Sequence, residues 1–192
     1  VTMLSDDFFE VPGHDPERLK IVFQAYGDSG IRANVSSAVM NIPALDCLPF
    51  ARKILPAEVQ RQIDGGRLPG INEYIEFSQW VLRELHGGSN GRLRYMLAPS
   101  APQRCTPPLM QALMELAQAH DVPYHTHVLE TVTQAVTGPE LHGRSLIRYM
   151  DDLGLLTPNT AIAHSVWVDE DDIALIGGRG CSVAHNAISN QK

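Results

Sequence analysis

Cysteine is scarce in this 192-residue chain, and the three present, Cys47, Cys105 and Cys181, are odd in number, far apart and outside any Cys-x-x-Cys pair. That argues against a disulfide framework and for a reducing cytosol. Basic residues are also few. Lys and Arg number 15 against 22 Asp and Glu, giving a net charge of −7 and no basic run longer than two. A nucleic-acid binder normally carries a basic stripe, so the charge balance argues against that class. No apolar run approaches the roughly 20 residues a membrane helix needs. The opening VTMLSDDFFE has neither a basic stretch nor a long apolar core. The expectation is a protein without a signal peptide, without a membrane span, and cytoplasmic. Neither GxGxxG nor GxxxxGK[ST] occurs, which removes the usual phosphate-binding turns.

What remains is an ordinary globular composition, 44% hydrophobic and 19% charged, with Gly and Pro scattered. The length suits one domain over residues 1–192. Short β-leaning runs alternate with helical text. Asp15-Pro16 opens a helix with Leu19, Val22, Phe23 and Tyr26 on one face, stopped by Gly27 or Gly30. A strand is expected over 31–39, helices over 49–63 and 71–85, a loop over 86–91 and a strand over 93–98. Thr106-Pro107 opens the next helix. A strand over 122–128, a helix over 145–153, a strand over 160–163, a helix over 169–176 and a strand over 180–184 complete the order. Met40, Met96, Met110, Met114 and Met150 read as core. Asp169 to Asp172 reads as a solvated helix start, and Cys181 as buried strand filler. Repeated β then α with long connections implies parallel strands with helices outside. The candidates are a (β/α)8 barrel and a doubly wound sheet, and the missing phosphate turn favours the barrel.

Three strand candidates run into histidine. The 122–128 run contains His125 and His127, 160–163 leads to His164, and 180–184 leads to His185. In a barrel the C-terminal strand ends form the active-site face. His125 and His127, two apart, share a strand face. Glu130 joins His127 only if the strand ends near Val128 and the chain turns. Imidazole is a metal ligand, and a carboxylate beside it can carry a proton between water and a leaving group. His14, His86, His120 and His142 show no such pattern.

The blocks 124–131 (YHTHVLET), 161–167 (AIAHSVW) and 182–190 (SVAHNAISN) resemble the amidohydrolase superfamily. The likeness is greatest to its aminohydrolases and chlorohydrolases of nitrogen heterocycles, such as cytosine, guanine and nucleoside deaminases and triazine hydrolases. Residues 97–106 resemble the fourth-strand segment, and 28–33 the approach to the third strand. The resemblance implies that His127 is a fifth-strand metal ligand. It implies that Glu130 is the general acid/base, and that His164 orients the water or the substrate. His185 and Asn186, with Ser189 and Asn190 nearby, fall near the substrate, as His125 does if it faces the pocket. It implies one divalent metal in the complete enzyme, zinc or in its place iron, and a small nitrogen-heterocycle substrate. It also implies a homo-oligomer.

The family pattern also has a His-x-His pair on its first strand and an Asp on its eighth. Before residue 86 there is only His14, and after His185 there is no Asp. The expectation is therefore an incomplete barrel, strands two or three to seven, without the first and last strands. Such a chain is expected to be inactive alone and to associate through unclosed barrel edges. The competing reading is a non-catalytic α/β domain that binds a small molecule or a partner.

Overall fold

The structure, a computed structural model, describes residues 2–10 and 13–191. Six strands run parallel: β1 (Met3–Phe8), β2 (Arg32–Ser37), β3 (Leu93–Tyr95), β4 (Tyr124–Val128), β5 (Thr160–His164) and β6 (Ser182–Ala184). The order is β1-β2-β3 in one sheet and β4-β5-β6 in another. A parallel bridge between Leu97 and Tyr124, with His125 N donating to Leu97 O at 2.7 Å, carries the ladder from one sheet to the next. Each strand thus lies beside its successor in the chain. A doubly wound sheet reverses its order at a switch point; among the described residues this one does not, which removes that alternative.

The helices pack on the outer side. They are α1 (Pro16–Ser29), α2 (Ala51–Ile54), α3 (Ala57–Asp64), α4 (Ile71–Glu84), the short turn α5 (Gly88–Gly91), α6 (Pro107–Ala119), α7 (Val132–His142), α8 (Leu146–Asp152) and α9 (Glu170–Gly178). Asp15 caps α1 by accepting from Glu17 N at 2.9 Å, and Gly30 at φ 76° ends it. Period-2 alternation sends Ala33, Val35, Leu93, Tyr95, Leu97, Tyr124, Val128 and Ile162 outward. They form one core there with Leu19 and Phe23 of α1, Tyr74 and Val81 of α4, and Leu109 and Leu113 of α6. The opposite face carries Ser5, Asn34, Arg94, Met96, His125 and Ala161, which line a cavity of about 490 Å³. Asp7 of β1 reaches His127 of β4 at 3.5 Å. In a flat sheet those strands would be about 14 Å apart, so the sheet is strongly curled. No closed barrel is formed among the described residues, and β1 and β6 each have a strand neighbour on one side only.

Several expectations are corrected. The strand β1 is not announced by hydropathy, because Ser5, Asp6 and Asp7 are poor strand formers. Its register on β2 holds it, and Asp6 accepts from Tyr26 Oη at 2.8 Å. The single helix expected over 49–63 is two, broken at Leu55-Pro56, since Pro disfavours the helical region in the residue before it. Helix α7, with Pro139 inside it, lies between two expected elements. The last helix runs through Gly177 and Gly178 and stops at Gly180, φ 71°. Met40 is only half-buried, whereas Met96, Met110, Met114 and Met150 are core. Cys181 precedes its strand and is half-buried. Asp172 is not solvated. It is buried, accepting from Ser145 Oγ while Asp169 and Asp172 cap the start of α9 together.

Candidate functional site

The C-terminal ends of β1, β4 and β5 meet on the inner face of the curl. Strand β4 ends at Val128, and Leu129 adopts φ 54°. A left-handed apolar residue is strained. Here Val166 N and Trp167 N fix it by donating to Leu129 O at 3.0 and 3.1 Å. That turn swings Glu130 back over the strand end. Gln134 Oε1 accepts from Glu130 N at 2.7 Å, and Ser189 Oγ donates to Glu130 Oε1 at 3.4 Å.

Histidine His164 arrives differently. Strand alternation would place it outward with Ile162. Its φ of 78°, followed by φ 51° at Ser165, redirects the ring inward at the strand end. There it lies 5.5 Å from the His127 ring, centroid to centroid. Its Nδ1 donates to Asn190 Oδ1 at 2.7 Å, while Asn190 Nδ2 donates to His164 O at 3.4 Å. Its Nε2 is left facing Glu130 Oε2 at 3.7 Å.

His127 is oriented by backbone. Its Nδ1 meets Ser100 O at 2.8 Å, which turns Nε2 toward Asp7. His125, two residues earlier on the same face, sits edge-on to His127 at 5.3 Å and is buried. Burial pushes its pKa down to about 4, so this imidazole is neutral at ordinary pH. One ligand atom from each of Asp7, His125 and His127 lies within 4.8 Å of the others. A carboxylate and two imidazoles suit zinc or a similar divalent ion.

The structure therefore brings together His125, His127, Glu130 and His164. His185 and Asn186 stand farther out and exposed, tied in through Asn190, whose Nδ2 is 3.0 Å from His185 Nδ1. Sequence reasoning missed Asp7 and Ser100. Asp7 lay in a stretch with no recognisable strand pattern. Ser100 acts through its carbonyl, which any residue supplies, so no sequence signal could have found it. A cavity of about 290 Å³ adjoins the site, lined by Glu130, Gln103, Arg104, Cys47, Met40 and Thr137. Met40 and Ala44 also border a second cavity of about 180 Å³, which extends past Glu10 and His14.

Parallel strands with imidazoles and a carboxylate at their C-terminal ends are one half of the comparison with known proteins. The other half is the sequence itself, whose residues 7–192 match the Amidohydrolase family.

The chain belongs to the amidohydrolase family.

Within it, the chain is 32% identical over 130 residues to the 5'-deoxyadenosine deaminase of Methanothermobacter thermautotrophicus, covering 68% of this chain and 30% of that protein. It is 28% identical over 172 residues to the 5-methylthioadenosine/S-adenosylhomocysteine deaminase of Dictyoglomus turgidum, covering 89% and 34%. Among solved structures, the triazine hydrolase of Arthrobacter aurescens superposes with a TM-score of 0.79 at 20% identity. That match covers 96% of this chain and 38% of the hydrolase. This amidohydrolase chain thus spans about a third of the length of the curated relatives it matches. Its fold is that of part of these barrel proteins. No helix among the described residues is long and apolar enough to cross a membrane.

Proposed function

We propose that this chain is the middle portion of a metal-dependent aminohydrolase barrel. The reaction we assign is hydrolytic removal of an amino group from a nitrogen heterocycle, an adenosine-type purine being the preferred substrate. The observation that carries the reading is the pairing of Glu130 with His164 at 3.7 Å beside the His127 ring. The names of the relatives, deaminases of 5'-deoxyadenosine and of 5-methylthioadenosine, support the purine class.

His127, with Asp7 and His125 near it, would hold the divalent metal, zinc or in its place iron. When bound there the metal supplies Lewis-acid activation of water. The chain's own residues handle the protons. Glu130 accepts a proton from the attacking water and delivers it to the ring amino group. The C–O bond forms first at the ring carbon; the C–N bond then breaks as the amino group, now carrying the proton from Glu130, leaves as ammonia. His164, its Nδ1 proton committed to Asn190, faces Glu130 with an Nε2 lone pair that can accept from that carboxyl once it carries the proton. His185 and Asn186 lie on the outer rim, where they would meet the part of the substrate away from the ring. The cavity of about 290 Å³ beside Glu130 accommodates a bicyclic ring, and the adjoining one leaves room for a substituent.

The open side between β1 and β6 leaves this half-site accessible to water, so the 192-residue chain alone is expected to turn over little or no substrate. The test is ammonia release from 5'-deoxyadenosine by the zinc-loaded protein, in the longest polypeptide that carries this sequence. Glu130→Gln should lower kcat by roughly 100-fold or more with zinc content unchanged. No ammonia from any aminopurine nucleoside, or full activity in Glu130→Gln, would refute the assignment.

A further inference from the structure

We infer that His185 is a positioning residue: by accepting from Asn190 it fixes which nitrogen of His164 carries the proton, and so what Glu130 faces. The inference rests on the preceding reading only for Glu130 as the acid/base; the tautomer of His164 is independent of the reaction.

The turn after β6 holds both members of the Glu130–His164 pair. Its backbone closes on itself, with Ala187 N donating to His185 O at 3.2 Å and Asn190 N to Asn186 O at 2.8 Å. Two consecutive side chains then reach the pair. Ser189 Oγ donates to Glu130 Oε1 at 3.4 Å, and the Asn190 amide meets His164.

That amide has a donor end and an acceptor end, and three contacts decide which way it lies. The carbonyl oxygen of His164 can only accept, so the amide end 3.4 Å from it is Nδ2. The same Nδ2 stands 3.0 Å from His185 Nδ1, which must therefore be bare. The other end, Oδ1, stands 2.7 Å from His164 Nδ1, which must therefore carry the proton. A neutral imidazole has one N–H. The nitrogen that faces Glu130 Oε2 at 3.7 Å, His164 Nε2, is thus the one with the lone pair.

Of the two acceptors at the Nδ2 end, His185 Nδ1 is the nearer, and a carbonyl at 3.4 Å is a weak partner. The two ends of an amide are nearly identical in shape, so turning it over costs little beyond its hydrogen bonds. With a donor in place of the His185 lone pair, the amide turns over. Asn190 Nδ2 then faces His164 Nδ1, which has to be bare. One proton leaves Nδ1 to water and another arrives at Nε2, with no change in net charge.

The consequence falls on Glu130. A bare Nε2 accepts from the protonated carboxyl and favours the proton-carrying form. An N–H there favours the ionised carboxylate and makes it a poorer base. His185 therefore keeps Glu130 able to take the proton from water. Its side chain is exposed, so substitutions there leave the core intact.

The test uses the longest polypeptide that carries this sequence, labelled in histidine with nitrogen-15. The ring-nitrogen shifts of His164, assigned by their loss in His164→Gln, report its tautomer without any substrate. The parent should show Nδ1 protonated. His185→Lys sets a donor-only group at that position. It should move His164 to the Nε2-protonated form and lower kcat roughly 3-fold to 10-fold, with KM within about twofold. His185→Glu, which is acceptor-only, should recover the parent tautomer and most of the lost kcat. An unchanged tautomer in His185→Lys, or a parent with Nε2 protonated, would overturn the inference. So would a rise in KM alone, with kcat and tautomer unchanged, which would make His185 a substrate contact and nothing more. A tautomer shift in a polypeptide that releases no ammonia would uphold the positioning role while the hydrolase reading fell, so the two fail separately.

Discussion

His164 and Glu130 face each other across 3.7 Å, Nε2 to Oε2, although one comes from the end of β5 and the other from the turn after β4. The pair exists because two backbone positions, Leu129 and His164, take left-handed conformations at adjacent strand ends. Asn190 sets the tautomer of His164 by accepting from Nδ1 at 2.7 Å. Asn190→Ala should release the ring and lower kcat roughly 10-fold to 100-fold with a smaller change in KM. Asn190→Asp, which retains the acceptor, should recover part of the loss. Steady-state kinetics of the two variants side by side checks the claim, and equal losses in both would sink it.

Gly138 in α7 is a close-approach position. A Cβ there would stand 2.8 Å from Arg144 O and 3.0 Å from Leu146 N, both backbone atoms that cannot rotate away. Gly138→Ala should destabilise the protein by about 1–3 kcal/mol, although alanine is the better helix former. Urea denaturation gives the difference, and a more stable variant would mean that α7 and the start of α8 are not packed this tightly.

Asp172 and Asp171 are neighbours with opposite fates. Asp172 is buried, accepts from Ser145 Oγ, and bonds Asp169 N at 3.3 Å; the Asp171 side chain is 85% exposed. Asp172→Ala removes half of a capping box and the acceptor of the half-buried Ser145 hydroxyl, an expected loss of about 1–3 kcal/mol. Asp171→Ala should fall within about 0.5 kcal/mol of the parent. Comparable effects from the two would contradict the burial of Asp172.

His142 stacks on Tyr149 with ring centroids 3.7 Å apart, and its Nε2 is buried with no hydrogen-bond partner among the described residues. Burial lowers its pKa below the usual 6.5. The unfolded chain then binds the proton more readily, so this contribution is fully present above the unfolded pKa and is lost as pH falls below it. His142→Phe keeps the stack and removes the proton. The variant should gain stability relative to the parent on going from neutral to mildly acidic pH. Thermal unfolding across that range shows it, and parallel pH curves would count against it. His14, His86 and His125 are lowered in the same direction and should leave a residual slope.

The edge strand β6 is exposed along its length, with Val183 46% accessible and Ile188 just beyond it 91% accessible. Parallel edges with apolar side chains template pairing. The chain should sediment as concentration-dependent oligomers, and Val183→Lys should shift it toward monomer. A monomer at every concentration would exclude association through this edge.

The alternation of β and α, the helix starts at Asp15-Pro16 and Thr106-Pro107, and the delivery of His125, His127 and His164 to strand ends were legible in the residues. Each depends on local rules: capping, proline placement and period. The turn that joins Glu130 to His127 could be stated as a condition, and φ 54° at Leu129 is how the chain meets it. Asp7 was hidden, because a strand whose inner face is Ser and Asp has no hydrophobic period to announce it. The inward swing of His164 ran against alternation, and no neighbour-to-neighbour preference predicts a strained φ that hydrogen bonds from residues 165–167 and 190 stabilise. The meeting of β1 with β4 depends on curl accumulated over four strands. That is a property of packing helices on one face of a twisted sheet, and it is decided only when the whole sheet is assembled.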